Sequence, residues 1–223
     1  MTMDQFREGL LFLIALILSI SVHEFGHALV ATKLGDPLPK AQGRLTLSPI
    51  SHADPIGTLL LPAIMLFAGG GGMGLFGWGR PVQTNPSSYT RRFSQATGHL
   101  MVSLAGPMMN LLMALVVSAG LLIGIRLGMV SGSGFLSVFR HLIALNLLLM
   151  CFNLLPIPPL DGGAVLSLLL PRSQQYIIDF LSRWGFLILL GLVLIPQTSA
   201  LLFGPIRWLQ GQWGDALLRL AGS

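Results

Sequence analysis

The sequence predicts an all-α polytopic membrane protein with about five to six membrane segments, a re-entrant or bent segment among them, and a short membrane-associated β-strand region. Three observations carry that expectation. Hydrophobic residues make up 53% of the 223 positions and charged residues only 9%, with a mean hydropathy of +0.76, far from the balance of a soluble domain. Apolar runs long enough to cross a bilayer recur along the chain. Between them, one apolar run is interrupted by Pro62 and Gly69-Gly70-Gly71-Gly72, and a polar stretch from Gly43 to Ser48 alternates with a period of two.

Taken in order, the first span runs from about Gly9 to Lys33. It lacks the basic leader of a signal peptide and carries polar residues within it, so it is expected to stay in the mature protein. Gly43-Arg44-Leu45-Thr46-Leu47-Ser48 reads as a short strand ended by Pro49. Ile56 to Phe76, broken by proline and by the glycine run, suits a re-entrant or bent segment better than a straight helix. Gly77-Trp78-Gly79-Arg80-Pro81-Val82 follows as loop or short strand, and Asn85-Pro86-Ser87-Ser88 as a turn. A span from about Ala96 to Ile125 contains Pro107, which should kink it. After a turn at Ser131 to Gly134, His141 to Leu155 forms another span. It ends at Pro156-Ile157-Pro158-Pro159-Leu160-Asp161-Gly162-Gly163, a rigid, extended backbone. A helix resumes over Ala164 to Leu170, and a last span covers about Ile177 to Ile195. Residues 203–223 read as an interfacial amphipathic helix, with Trp208, Leu209, Trp213, Leu217 and Leu220 near one face. Spans take most of the chain, so 1–223 is expected to be a single integral membrane domain, without the internal repeat of many transporters.

The net charge of +5 comes from few acids and scattered Lys and Arg, which points to loops on a membrane surface and away from nucleic acid. If Ile56 to Tyr89 enters and leaves from one side, Lys33, Lys40, Arg44, Arg80, Arg91, Arg92, Arg172 and Arg183 share that side, with Arg7, Arg126, Arg140, Arg207 and Arg219 opposite. The larger group is expected in the cytoplasm, at the plasma membrane, with the N-terminus outside. Cys151 is the single cysteine, so it has no intrachain partner and packs as a small hydrophobe.

Within the first span stands His23-Glu24-Phe25-Gly26-His27, an HExxH pattern in an otherwise apolar run. On a helix His23 and His27 share a face, so both imidazoles reach one ion while Glu24 sits beside the water that ion activates. Ionisable groups at membrane depth are costly and by default functional; the bland alternative is polar bonding between helices. A catalytic zinc takes three protein ligands and keeps a fourth position open. Asp161 is the preferred third ligand, presented directly after a span; its alternative role is the N-cap of the helix beginning at Gly162. His52 and Asp54 compete for the place, or else form a turn before Pro55. His99 and His141, at helix ends, are poorer candidates.

With such a site assembled, Glu24 takes a proton from water and delivers it to a leaving amine, which is peptide-bond hydrolysis. The apolar setting makes the expected substrate a transmembrane helix, which has to unwind before cleavage. Arg44, Leu45, Thr46 and Leu47 could hold the unwound peptide by strand addition, or form a simple hairpin edge. Asn110 orients a ligand or the substrate, or bonds between helices. Asn153, nearer the proline segment, supports the site.

Together these residues resemble the site-2 protease family of intramembrane zinc metalloproteases, peptidase family M50, and specifically its compact branch without an appended PDZ or CBS domain. His23-Glu24-Phe25-Gly26-His27 is similar to the family's HExxH, and the stretch from Asn153 to Gly163 to its NxxPxxPLDG motif. Asp54-Pro55-Ile56-Gly57-Thr58, Gly77 to Val82 and Ala105-Gly106-Pro107-Met108-Met109-Asn110 resemble further segments of that branch, although Gly79 and Arg80 stand where it often has Ala and Lys. The resemblance covers most of the chain. It implies one zinc ion held by His23, His27 and Asp161, Glu24 as catalytic base, Asn153 as a supporting residue, and membrane proteins as substrates. Two rivals stand beside it. A proteolytically silent adaptor could bind transmembrane helices in the same groove, although it has no need of Glu24. A divalent-cation transporter would favour paired acids along a path and repeated halves.

Overall fold

A computed structural model describes residues 2–67, 77–90, 92–130 and 133–222, and these form helices and loops with no strand. Helix α1 (Met3–Lys33) opens on a capping box: Thr2 Oγ1 accepts from the Gln5 N–H while Gln5 Oε1 accepts from the Thr2 N–H, satisfying two donors at the frayed end. It stops at Leu34 and Gly35, whose φ of +102° is a left-handed turn that glycine adopts without strain. There follow α2 (Leu38–Ala41), α3 (Pro49–His52), a π-helical turn (Pro55–Leu60) and α4 (Leu61–Phe67). The remainder is α5 (Gln95–Arg126), α6 (Ser133–Asn153), α7 (Gly162–Leu169), α8 (Gln175–Leu194) and α9 (Pro196–Ala221).

Four helical stretches among the described residues are long and apolar enough to cross a membrane: α1, α5, Gly134–Asn153 of α6, and Arg172–Leu194, which contains α8. At roughly 1.5 Å per residue, α1 and α5 are each about 45 Å or more in length, so their ends extend past a hydrocarbon core of about 30 Å. Of the expected five to six segments, four are found among the described residues. Helix α9 is long but carries Arg207, Gln210, Gln212, Asp215 and Arg219. Of Ile56 to Phe76, residues 56–67 are described, as the π-helical turn and α4, and they contain one short apolar helical stretch, Pro55–Ile64. The glycine run at 69–72 and the bend assigned to it lie outside the described residues, as do Arg91 and the start of the Ser131 to Gly134 turn.

Helices α1, α5 and α6 pack on one another. Ala114, Val117 and Leu121 of α5 meet Ile143 and Leu147 of α6; Ala15, Leu16 and Ile20 of α1 meet Leu145; and Ala31 and Leu34 meet Tyr89 and Val102. Large apolar side chains such as Leu112, Leu115 and Val116 on α5, and Phe180, Trp184 and Leu187 on α8, face outward, an exterior suited to lipid. The face expected within 203–223 is divided. Trp213 and Leu217 pack on the α5–α6 cluster, with Trp213 Nε1 donating to Ser118 Oγ at 2.9 Å, while Trp208 and Leu220 lie outside.

Gly43 to Ser48 is not a strand. Gly43 turns at φ +67° where α2 ends. Beyond it Thr46 O bonds His52 Nε2 at 2.8 Å, Ser48 N donates to Thr46 Oγ1 at 3.1 Å, and the Arg44 guanidinium turns inward to donate to Ser51 O. Local side-chain bonds have displaced the ladder that the alternation suggested. Instead, alternate N–H groups of the 77–85 loop bind the body of the protein: Trp78 N donates to Gly57 O at 3.2 Å, Arg80 N to His52 O at 2.8 Å, and Val82 N to Glu24 Oε2 at 3.0 Å. Asn85 N donates to Asp36 Oδ2 at 2.6 Å and closes the tether beside the end of α1.

Candidate metal centre

The helical register of α1 turns His23 and His27 toward α5, and both are buried. His27 Nδ1 lies 2.7 Å from Val102 O. A backbone carbonyl only accepts, so His27 carries a proton on Nδ1, and the neutral ring then keeps its lone pair on Nε2. His23 Nδ1 lies 2.7 Å from Asn110 Oδ1, to the same effect. The two Nε2 atoms are 3.1 Å apart. Gly106 of α5 backs both rings: a Cβ there would collide with His27 Nε2 and lie 2.6 Å from His23 Cε1.

Asp161 arrives from another part of the chain. The stretch before it is a series of turns, Leu160 N donating to Ile157 O and Gly163 N to Leu160 O at 2.9 Å each, with a cis peptide between Pro158 and Pro159. Asp161 occupies the N-cap position of α7, yet its side chain makes no capping bond. The carboxylate turns to the histidines instead, with Oδ2 3.1 Å from His23 Nε2 and Oδ1 3.4 Å from His27 Nε2. Of the two roles open to Asp161 in the sequence, the cap is not the one its side chain takes.

Asp161 Oδ2 is buried with no hydrogen-bond partner. Two imidazole lone pairs and a carboxylate converge there, and acceptors this close repel one another unless a cation lies among them. The separations of 3.1, 3.1 and 3.4 Å match the edge of about 3.3 Å expected for ligands around a tetrahedral zinc with bonds of about 2 Å. Among the described residues this is the one group of three such side chains with ligand atoms within 4.8 Å of one another. The residues present fit a zinc ion.

Glu24, beside His23 in sequence, has Oε2 held by Val82 N, and no hydrogen bond to Oε1 is found among the described residues. All four residues line a cavity of about 460 Å³. Its lining includes the polar His99 and Ser103 of α5 and Thr84 of the loop, and the apolar Leu148 and Phe152 of α6, Phe186, Leu189 and Val193 of α8, and Phe203 of α9. Gly79 lets the loop pass close above the site, since a Cβ there would lie 2.5 Å from Ile20 Cγ2.

The remaining expected residues divide. Asn110 joins the site through His23. Asn153 lines the cavity, but its Nδ2 donates to Leu149 O of its own helix at 2.9 Å. Arg44, Leu45, Thr46 and Leu47 do not line it. Arg44 is buried, and that burial, then the charge of Arg80, push its guanidinium below the usual arginine range, with Glu24 pulling the other way. His52 is fully buried outside the ligand group, and Asp54 caps the π-helical turn by accepting from Ile56 N and Gly57 N. His99 lines the cavity without belonging to the ligand group, and His141, expected at a helix end, lies within α6, its Nδ1 3.9 Å from Glu8 Oε2. Two functional groups had no side-chain signature at all: the Val82 N–H on Glu24 and the Val102 carbonyl on His27.

The profile of Peptidase family M50 matches residues 11–126 and 119–192. The chain belongs to peptidase family M50. This M50 chain is 39% identical over 196 residues to YwhC of Bacillus subtilis (strain 168), named as a candidate zinc metalloprotease, with 85% of this chain and 83% of that one covered. Rip2 of Mycobacterium tuberculosis (strain H37Rv), named in the same way, is 37% identical over 196 residues, covering 86% of this chain and 70% of its own. Rip2 of Mycolicibacterium smegmatis is 33% identical over 195 residues with the same coverage. No solved structure matches the chain.

Proposed function

We propose that this M50 chain is a zinc-dependent intramembrane endopeptidase that hydrolyses peptide bonds within or near the transmembrane segments of other membrane proteins. The observation that carries the reading is the Asp161 carboxylate, which leaves its capping position to converge with His23 Nε2 and His27 Nε2. His23, His27 and Asp161 would hold the ion. Zinc bound there supplies Lewis-acid polarisation of the scissile carbonyl and of the attacking water. Glu24 Oε1 takes the water proton and passes it to the leaving amine, while the Val82 N–H keeps the carboxylate aimed through Oε2. Phe186, Leu189, Val193 and Phe203 give the cavity an apolar lining suited to aliphatic substrate side chains. A substrate helix has its carbonyls in hydrogen bonds and must unwind to reach Glu24.

The distribution of Lys and Arg supports a plasma-membrane protein with its site in the cytoplasmic half. Residues 1–223 are taken as one metalloprotease domain, with 203–223 at the interface.

The test uses purified wild type and Glu24→Gln in lipid nanodiscs, with zinc content measured first and cleavage of a panel of model transmembrane substrates second. Both should hold one zinc per chain, and the variant should cleave about 10²–10⁴-fold more slowly. Equal cleavage removes Glu24 from its role. Capture of transmembrane peptides without cleavage by wild type would make the chain an adaptor.

A further inference from the structure

One buried polar cluster lies outside the ligand set: Ser19 on α1, Asn110 on α5 and Asn146 on α6, each 0% exposed. Its hydrogen-bond directions can be solved, because they start from backbone carbonyls, which only accept. Leu142 O lies 2.8 Å from one end of the Asn146 amide, so that end is the NH2. Ser19 Oγ gives its own proton to Ala15 O at 2.7 Å and therefore accepts from Asn146 Nδ2 at 2.8 Å. Asn146 Oδ1 is left facing α5. Asn110 Nδ2 donates to it at 2.8 Å and to Ser19 O at 3.1 Å. The Asn110 amide is thereby turned with Oδ1 on His23 Nδ1. Flipped, it would donate to Nδ1 and send the imidazole proton to Nε2, where the ligand lone pair is needed. His27 uses no relay, since Val102 O meets its Nδ1 directly.

We propose that Asn146 is a positioning residue of the metal centre: through Asn110 it holds His23 in the Nδ1–H tautomer and so presents the Nε2 lone pair toward His27 and Asp161. This rests on the metalloprotease reading above. Asn146→Leu removes the nearer of the two acceptors that orient Asn110, leaving only Ser19 O at 3.1 Å. Asn146→Asp keeps an acceptor facing Asn110 in either protonation state, while losing NH2 donors to Leu142 O and Ser19 Oγ. A relay and a purely structural role therefore rank the two variants differently.

The full chain is purified in nanodiscs, zinc affinity is measured by competition with a chromophoric chelator, and thermal unfolding is followed on the metal-free protein. Asn146→Leu should bind zinc about 10–100-fold more weakly. Asn146→Asp should stay close to wild type in zinc affinity even though it unfolds at a lower temperature. Wild-type affinity in Asn146→Leu, or affinity in Asn146→Asp that falls in step with stability, overturns the proposal. Histidine side-chain ¹⁵N spectra of the metal-free protein separate this from failure of the zinc reading. If wild type binds no zinc but His23 shows an Nδ1–H signal that Asn146→Leu loses, the relay stands and the metal assignment falls. If the His23 signal is the same in both proteins, the relay falls.

Discussion

The two halves of the candidate metal centre are organised by different means. His23 and His27 stand on one helix, and each ring is fixed at Nδ1 by a partner from α5. Asp161 has no capping bond, and its Oδ2 has no hydrogen-bond partner. Its placement comes from the backbone: the turns from Leu154 to Gly163, and the close seat of Pro158 against α8, where a Cβ on Gly185 would collide with Pro158 O. The histidine half is aligned side chain by side chain, whereas the carboxylate half is aimed by its main chain, which leaves the carboxylate free to ligate.

The largest effect should come from removing the carboxylate itself. Asp161→Ala is expected to lose zinc and, with it, all measurable turnover; zinc content equal to wild type would hand the third position to His52 or Asp54. A smaller change tests the backbone half without touching a ligand. Gly185→Val should push Pro158 away from α8, with an overpacking penalty of about 1–3 kcal/mol and zinc affinity lowered by roughly tenfold or more as Asp161 is displaced. Chelator competition on the folded variant reads this, and unchanged affinity would mean that α8 does not aim Asp161. The smallest effect is expected away from both halves. Leu45 and Leu47 are exposed and do not line the cavity, so Leu45→Ser and Leu47→Ser should change stability by no more than about 0.5 kcal/mol and leave KM unchanged. A clear rise in KM would restore strand addition by that segment.

Local regularities were readable in advance and non-local ones were not. The spacing of His23 and His27 is a property of one helix, so their shared face followed from the sequence. The presence of four long apolar helices did too, because such runs have few alternatives in a bilayer, although α1 begins at Met3, ahead of Gly9, and α6 at Ser133, ahead of His141. The alternation from Arg44 to Leu47 misled for the opposite reason: a strand needs a partner, and here Thr46 and Arg44 found local ones. Asn146 gave no signal, being a single polar residue in an apolar helix, with meaning only through Asn110 and Ser19 on two other helices.

By itself the sequence determined that this chain is helical, belongs in a membrane, and carries two imidazoles and a carboxylate on adjacent turns of one span. Those statements need only periodicity, hydropathy and residue chemistry. Tertiary structure decided that Asp161 serves the histidines in preference to its own helix, that Val82 and Val102 act through backbone groups, and that two asparagines set the direction of a proton on His23. Each of these depends on atoms brought within about 3 Å from distant parts of the chain, and hydrogen-bond direction is a property of such neighbours, with no counterpart along the sequence.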